Sequence, residues 1–223
     1  MMTSEQLLQQ AHLRLEKRPE GLTLIGEDGL TLCGDYTQML PRLRQSNLEH
    51  ELLVRAARMK NLDHIPLIVD ATAGMGEDSL LLAAAGFRVR LYEYNPVVAL
   101  LLKDTLERAE IDTRLSEIVS RMELVQGDSV EALKALDVQP DAVLLDPMFP
   151  ERQKSALVQK KLQLIRRLEI PCAAEEALLE AAIAAHPKKI LIKRPAKGPY
   201  LAGRKPSYSN AGKAVRVDVI VLA

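Results

Sequence analysis

Apolar runs recur through the middle of the chain, and each ends on or beside an acid. They are Leu67-Ile68-Val69-Asp70, Phe87-Arg88-Val89-Arg90-Leu91-Tyr92-Glu93, Met122-Glu123-Leu124-Val125-Gln126-Gly127-Asp128 and Asp141-Ala142-Val143-Leu144-Leu145-Asp146. Short apolar runs separated by helical stretches read as a βα series, which predicts a doubly wound, mostly parallel α/β sheet. Lys189 to Lys193 reads as a fifth strand. Ala214 to Leu222, rich in β-branched residues, reads as a final one that a long connection lets return antiparallel. Upstream, Ser4 to Arg18 reads as a surface helix. Gly21 to Ile25 and Leu30 to Cys33 read as a β-hairpin around Gly26-Glu27-Asp28-Gly29. Asn47 to Asn61 reads as an amphipathic helix with Leu48, Leu52, Val54 and Met59 on its core face. The pattern divides the chain into an N-terminal extension, residues 1–62, packed on a core domain, residues 63–223.

In an open parallel sheet the carboxyl ends of the strands border one crevice, so Asp70, Glu93, Asp128 and Asp146 are expected to face it together. Acids at such positions also cap the helices that follow, which accounts for one or two of the four. After the first strand comes Ala71-Thr72-Ala73-Gly74-Met75-Gly76-Glu77-Asp78, where the two glycines let the loop turn sharply and a ligand approach the backbone. A dinucleotide fingerprint needs a third glycine three residues on, and Ser79 stands there. The acid-x-x-x-Gly-x-Gly pattern instead fits methyltransferases that use S-adenosylmethionine. Glu93, one helix and one strand further on, sits where a ribose would present two hydroxyls. Asp128 and Ser129 are placed for the adenine edge.

Asp146-Pro147-Met148-Phe149-Pro150 holds the chemistry expected of the acceptor site. A carboxylate accepts a hydrogen bond from a planar amine, Pro147 fixes a backbone carbonyl that accepts another, and Phe149 stacks on the ring. The bland alternative is a strand that ends in a proline-rich turn.

Charge changes this picture locally. The 223 residues carry 30 basic and 30 acidic side chains, so no global field argues for a polyanion. Arg152, Lys154, Lys160, Lys161, Arg166 and Arg167 nevertheless follow the Asp146 loop with Glu151 as the only acid before Leu168. From Lys188 onward, nine basic residues face Asp218 alone. RNA fits such flanks, and so does a solvated lysine-rich face. Tyr200 and Tyr208 suit either base stacking or loop anchoring. Two widely separated cysteines, Cys33 and Cys172, suggest reduced thiols in a cytoplasmic protein, and the four histidines lack metal-ligand spacing. No apolar run reaches membrane-spanning length.

Asp70-Ala71-Thr72-Ala73-Gly74-Met75-Gly76, Glu93-Tyr94-Asn95-Pro96-Val97-Val98, Leu145-Asp146-Pro147-Met148-Phe149-Pro150, Lys154-Ser155-Ala156-Leu157-Val158 and Lys193-Arg194-Pro195 together resemble the small-subunit ribosomal RNA methyltransferase J family. The resemblance runs from about Cys33 to the C-terminus. It implies a Rossmann-like class I methyltransferase fold and S-adenosylmethionine-dependent methylation of the exocyclic N2 of one guanosine in 16S rRNA of the small ribosomal subunit. It also implies that Glu77, Asp78, Glu93, Tyr94, Asp128, Ser129 and Asp146 surround the cofactor, with Gly74 and Gly76 along its methionine portion. Pro41 to Asn47 departs from the family's more basic, glycine-rich stretch.

Asp146, Pro147 and Phe149 are the expected catalytic residues, and Asp70 joins the cofactor set from its place at the strand end. Arg152, Lys154, Lys160, Lys161, Lys193 and Arg194 are the expected RNA contacts, with Lys193 or Arg194 as donor to guanine O6. Three rivals stay open. They are an adenine-N6 or DNA amino-methyltransferase, a nicotinamide oxidoreductase, and a non-catalytic RNA-binding protein.

Overall fold

The computed structural model describes residues 2–147, 163–168 and 175–222. Among the described residues, ten strands form two sheets. An antiparallel sheet runs β1 (Leu13–Arg18), β2 (Gly21–Gly26), β3 (Thr31–Cys33). The main sheet has seven strands: β4 (Leu67–Asp70), β5 (Arg88–Glu93), β6 (Met122–Gln126), β7 (Ala142–Leu145), β8 (Lys189–Pro195), β9 (Tyr208–Ala211) and β10 (Val215–Val221). Their spatial order is β6-β5-β4-β7-β8-β10-β9. β4 to β8 pair in parallel, and β10 runs antiparallel to both β8 and β9.

This matches the predicted doubly wound sheet with a returning last strand. The chain reverses its winding between β4 and β7, so the crevice opens outside their carboxyl ends. Both strands are buried on both faces, which explains their unbroken apolar runs. Ile68 and Leu144 face one core, shared with the helices Leu52–Ala57 and Glu77–Ala84. Val69, Val143 and Leu145 face the other, beneath the helices Ser129–Lys134 and Glu175–Ala184.

The helix Glu77–Ala84 has Leu80, Leu81, Leu82 and Ala83 at most 1% exposed. Apolar on every side at that point, it is held deep in the protein with only its first turn at the crevice. The helix Pro96–Ile111 begins as expected at Asn95, whose side chain accepts from the amides of Val97 (2.9 Å) and Val98 (3.3 Å), with Pro96 in the first turn. A third core, built on Leu7, Leu13, Leu24, Leu32, Val97 and Leu101, joins the small sheet to this helix.

Three expectations change. The helix expected over Ser4 to Arg18 stops at Gln10, and Leu13–Arg18 forms β1 instead. His12 adopts a positive φ of 54°, breaking the helix, and Leu13 to Arg18 then pair with β2 in register. The helix expected over Asn47 to Asn61 is two pieces, Gln45–Leu48 and Leu52–Ala57, parted near Glu51, which Arg42 holds through 2.8 and 3.0 Å bonds. Strand β9 went unpredicted because its polar sequence forms an exposed edge with no apolar alternation. The β2–β3 hairpin formed as expected.

Candidate active site at the β4–β7 switch point

The loop after β4 takes its shape from Gly74 and Gly76, whose φ values of 54° and 73° favour glycine. Only Gly76 is also crowded. A Cβ there would lie 2.4 Å from the Tyr36 hydroxyl, whereas a Cβ on Gly74 would meet nothing within 4 Å. The Tyr36 hydroxyl donates to the carbonyl of Met75 at 3.0 Å. Tyr36 is buried, and burial together with the nearby Glu77 and Asp70 pushes its phenol pKa well up, so it stays a neutral donor. The N-terminal extension thus supports the glycine loop from behind, which nothing in the motif signals.

Asp70 corrects an expectation. It does not line the crevice; it is 2% exposed, accepting from Ser79 Oγ at 2.6 Å and the Thr72 amide at 3.1 Å. Burial pushes its carboxyl up to about 7, against the lowering effect of those two donors. Ser79, the residue that breaks the dinucleotide fingerprint, therefore ties the helix to the end of β4. Asp70 shapes the loop.

Glu93 ends β5 with its carboxylate turned toward the glycine loop, accepting from the amides of Gly74 and Asn95, each at 2.8 Å, and from that of half-buried Tyr94. Burial raises its pKa to about 6 even so. A carboxylate offers about four lone-pair sites, so the bound amides leave capacity for a further hydroxyl donor. Asp128 caps the helix Ser129–Lys134 by accepting from the Val130 amide at 2.9 Å, so the capping role foreseen for some of the acids applies to it. Ser129 is buried beside it.

Across the switch point, the Asp146 amide donates to Thr72 Oγ1 at 2.6 Å, joining the loop after β7 to the loop after β4. The Asp146 side chain keeps 35% exposure at the base of the crevice. Lys193, from the end of β8, places Nζ 3.0 Å from Asp146 and 2.5 Å from Asp78. Burial raises the Asp146 pKa, and Lys193 partly offsets it. Burial alone would lower the ammonium pKa, but Asp78 and Asp146 outweigh it and hold Lys193 charged. Glu77 and Asp78 occupy the first helical turn, where the dipole favours acids.

Of the expected RNA contacts, Arg194 is corrected. Its guanidinium is fully buried, donating to Glu175 at 3.1 Å and the Pro199 carbonyl at 2.9 Å, out of reach of a phosphate. Lys193 turns to two carboxylates of the crevice. Pro147 is half-buried beside Asp146. Phe149, Arg152, Lys154, Lys160 and Lys161 lie outside the described residues. Sequence reasoning missed Tyr36, Thr72 and the pairing of Asp70 with Ser79; Thr72, Asp70 and Ser79 lie in or beside the glycine-loop motif, whereas Tyr36 lies far from it in sequence.

This residue set fits S-adenosylmethionine. An open glycine cradle leads to a half-buried acceptor, Glu93, at the end of β5, and carboxylates outnumber Lys193, which bridges Asp78 and Asp146; this suits a sulfonium cation. Among the described residues no group of acids, histidines and cysteines could hold a metal ion, and no helix is long and apolar enough to cross a membrane.

Comparison with known proteins agrees. A family described as "Putative SAM-dependent methyltransferase" matches residues 3–222. Ribosomal RNA small subunit methyltransferase J of Thioalkalivibrio sulfidiphilus is 44% identical over 182 residues, covering 81% of this chain and 71% of the relative. The Pseudomonas aeruginosa protein of the same name is 45% identical over 155 residues, 69% of this chain and 59% of that one. The crystal structure of a SAM-dependent methyltransferase from Neisseria gonorrhoeae superposes with a TM-score of 0.75 at 31% identity, covering 93% of this chain and 81% of that one. With the fold, the crevice and these relatives in agreement, the chain belongs to the ribosomal RNA small subunit methyltransferase J family of SAM-dependent methyltransferases.

Proposed function

We propose that this enzyme methylates the exocyclic N2 amine of one guanosine in 16S rRNA of the small ribosomal subunit, with residues 63–223 as the catalytic domain and 1–62 as its supporting extension. The reading places it in the cytoplasm. The observation that carries it is the Asp146 carboxylate, partly open at the switch point and flanked by Lys193, beside the glycine loop that ends β4.

S-adenosylmethionine, when bound, supplies an electrophilic methyl group. Gly74 and Gly76 line its methionine portion, Glu93 accepts from the ribose hydroxyls, and Asp128 with Ser129 meets the adenine edge. Glu77, Asp78 and Tyr94 complete the surround. The protein's main work is to position the amine and its lone pair, which in guanine is delocalised into the ring. Hydrogen bonds from the amine to Asp146 and to the Pro147 carbonyl favour the pyramidal, nucleophilic form. Transfer of the methyl to the amine would leave the demethylated cofactor as the departing group, and Asp146 or water would take the surplus amine proton. Phe149 stacks on the extruded base. With Arg194 buried, discrimination of guanine from adenine through O6 falls to Lys193. Arg152, Lys154, Lys160 and Lys161 engage the RNA backbone.

The test is to incubate the enzyme with radiolabelled cofactor and undermodified small-subunit particles, then digest the RNA to nucleosides. Label in N2-methylguanosine supports the reading. Label in N6-methyladenosine, or in DNA offered in competition, replaces it with the amino-methyltransferase alternative. Absence of label from every substrate removes it.

A further inference from the structure

The stretch from Pro195 to Val215 contains Lys197, Arg204, Lys205 and Lys213 and no acid. All four cations are exposed, and among the described residues none of them forms an ion pair. Elsewhere some surface cations, such as Arg114 and Lys134, are neutralised by neighbouring acids, while others, such as Arg44, Arg55 and Lys60, form no ion pair among the described residues; the complete lack of acids over twenty-one residues is what marks this segment. Asp218, the nearest acid in sequence, is 2% exposed and bound to Arg216 at 2.9 Å, so it subtracts nothing from this surface.

The segment is also built to hold a shape. Arg216 lies buried beneath it and donates through Nη1 to the carbonyls of Pro195 (2.9 Å), Ala196 (3.1 Å) and Gly198 (2.9 Å), and through Nη2 to that of Pro199 (3.3 Å). Its guanidinium backs one face of the Tyr200 ring, 5.1 Å from the centroid. Tyr200 is 40% exposed and Tyr208 41%, while Tyr36, Phe87 and Tyr92 are buried and Tyr94 is half-buried. The exposed aromatic rings among the described residues thus both fall in this acid-free segment. Lysines flanking an edge strand, as Lys205 and Lys213 flank β9, also deter strand-to-strand aggregation, but that purpose does not call for two exposed tyrosines.

Register fixes where the segment sits. β7 and β8 run parallel, and Pro195 pairs with Val215, so the 195–199 loop and the β9–β10 turn both lie at the crevice end of the sheet. The Ala196 amide donates to the Ala214 carbonyl at 2.9 Å, bringing the neighbours of Lys197 and Lys213 together just beyond the end of β8, which carries Lys193. From there the chain leads to the β9 edge.

We infer that this segment is a docking track for single-stranded RNA, with Lys197, Arg204, Lys205 and Lys213 on phosphates and the open faces of Tyr200 and Tyr208 stacking on bases. Positive charge interleaved with aromatic rings is the chemistry that holds an unpaired strand. The track rests on the reading of RNA as substrate. It lies on β8–β10, apart from the basic stretch that follows Asp146.

The test is fluorescence anisotropy of a labelled single-stranded oligoribonucleotide over a salt series, with cofactor affinity by calorimetry as the control for folding. In the variant carrying Lys197→Glu, Arg204→Glu and Lys205→Glu, affinity should fall at least about tenfold and the salt slope by roughly 2, near 0.7 for each phosphate no longer neutralised. Glutamine at the same three positions should move both in the same direction by less. Tyr200→Ala with Tyr208→Ala should weaken binding by about tenfold and leave the slope unchanged. Wild-type affinity and slope in the charge variants would overturn the track, and wild-type affinity in the tyrosine variant would overturn its stacking role. If wild-type enzyme methylates small-subunit particles while the variants bind RNA normally, the track alone fails. If it binds the oligoribonucleotide through these residues yet methylates no RNA, the functional reading fails and the track stands.

Discussion

The two halves of the crevice hold their acids by different means. On the β4–β5 side, Glu93 accepts from the backbone amides of Gly74, Tyr94 and Asn95, groups that cannot leave without the loop unfolding. On the β7–β8 side, Asp146 is met by the tip of a lysine that also serves Asp78. Backbone amides preorganise an acceptor for a ligand that is the same in every turnover. A flexible ammonium yields to an incoming substrate that has donors of its own. Under the proposed assignment, the difference teaches that the cofactor side is built rigid and the acceptor side switchable, both around one Thr72–Asp146 bond.

The largest expected effect tests the acceptor side. Asp146→Ala should lower the turnover of small-subunit methylation by on the order of 10³, within the range typical of a positioned proton acceptor, with the circular-dichroism melt retained. Turnover near wild type would remove Asp146 from the chemistry. Next, Glu93→Ala should weaken cofactor binding, followed by calorimetry, by about 10²-fold, since each hydrogen bond to a charged group contributes roughly 1.5–3 kcal/mol. An unchanged affinity would mean that the amide-bound carboxylate is purely structural.

Lys193→Met sharpens the contrast. Burial already raises the Asp146 pKa, and removing the ammonium that lowers it should carry the acidic limb of the pH–rate profile to higher pH. Cofactor affinity should change little, and an unmoved limb would show that Asp146 titration does not limit the rate. The smallest effect concerns Glu93, whose folded-state pKa is raised from 4.5 to about 6. Its contribution to folding stability is therefore full below 4.5 and lost as pH rises through about 6. Cofactor affinity should run the other way, weakening as pH falls through about 6, because a protonated carboxyl is a poorer acceptor. Glu93→Gln should flatten that dependence in calorimetric titrations on either side of pH 6, and an unflattened curve would assign it to another group.

The central strands of the main sheet were legible because β4 and β7, buried on both faces, have to be apolar along their whole length, whereas the exposed edge strand β9 carries no such pattern. Glu93 and Asp146 were legible as candidates because each stands at the carboxyl end of a parallel strand. Asp70 shows the limit of that reasoning, since a strand-end acid serves a ligand or the fold according to whether Ser79 reaches it first. β1 was misread because Leu13-Arg14-Leu15 suits a helix or a strand, and pairing with β2 decided between them.

Local pattern was enough to settle the βα order, the glycine loop and the acids at the strand ends, because each depends on neighbours a few residues away. Packing alone decided that Tyr36 reaches Met75 across 39 positions, that Lys193 reaches Asp78 across 115, and that Arg194 turns inward while its neighbour turns to the crevice. Such contacts join residues far apart along the chain. Their strength depends on burial and distance, and a linear order of residues specifies neither.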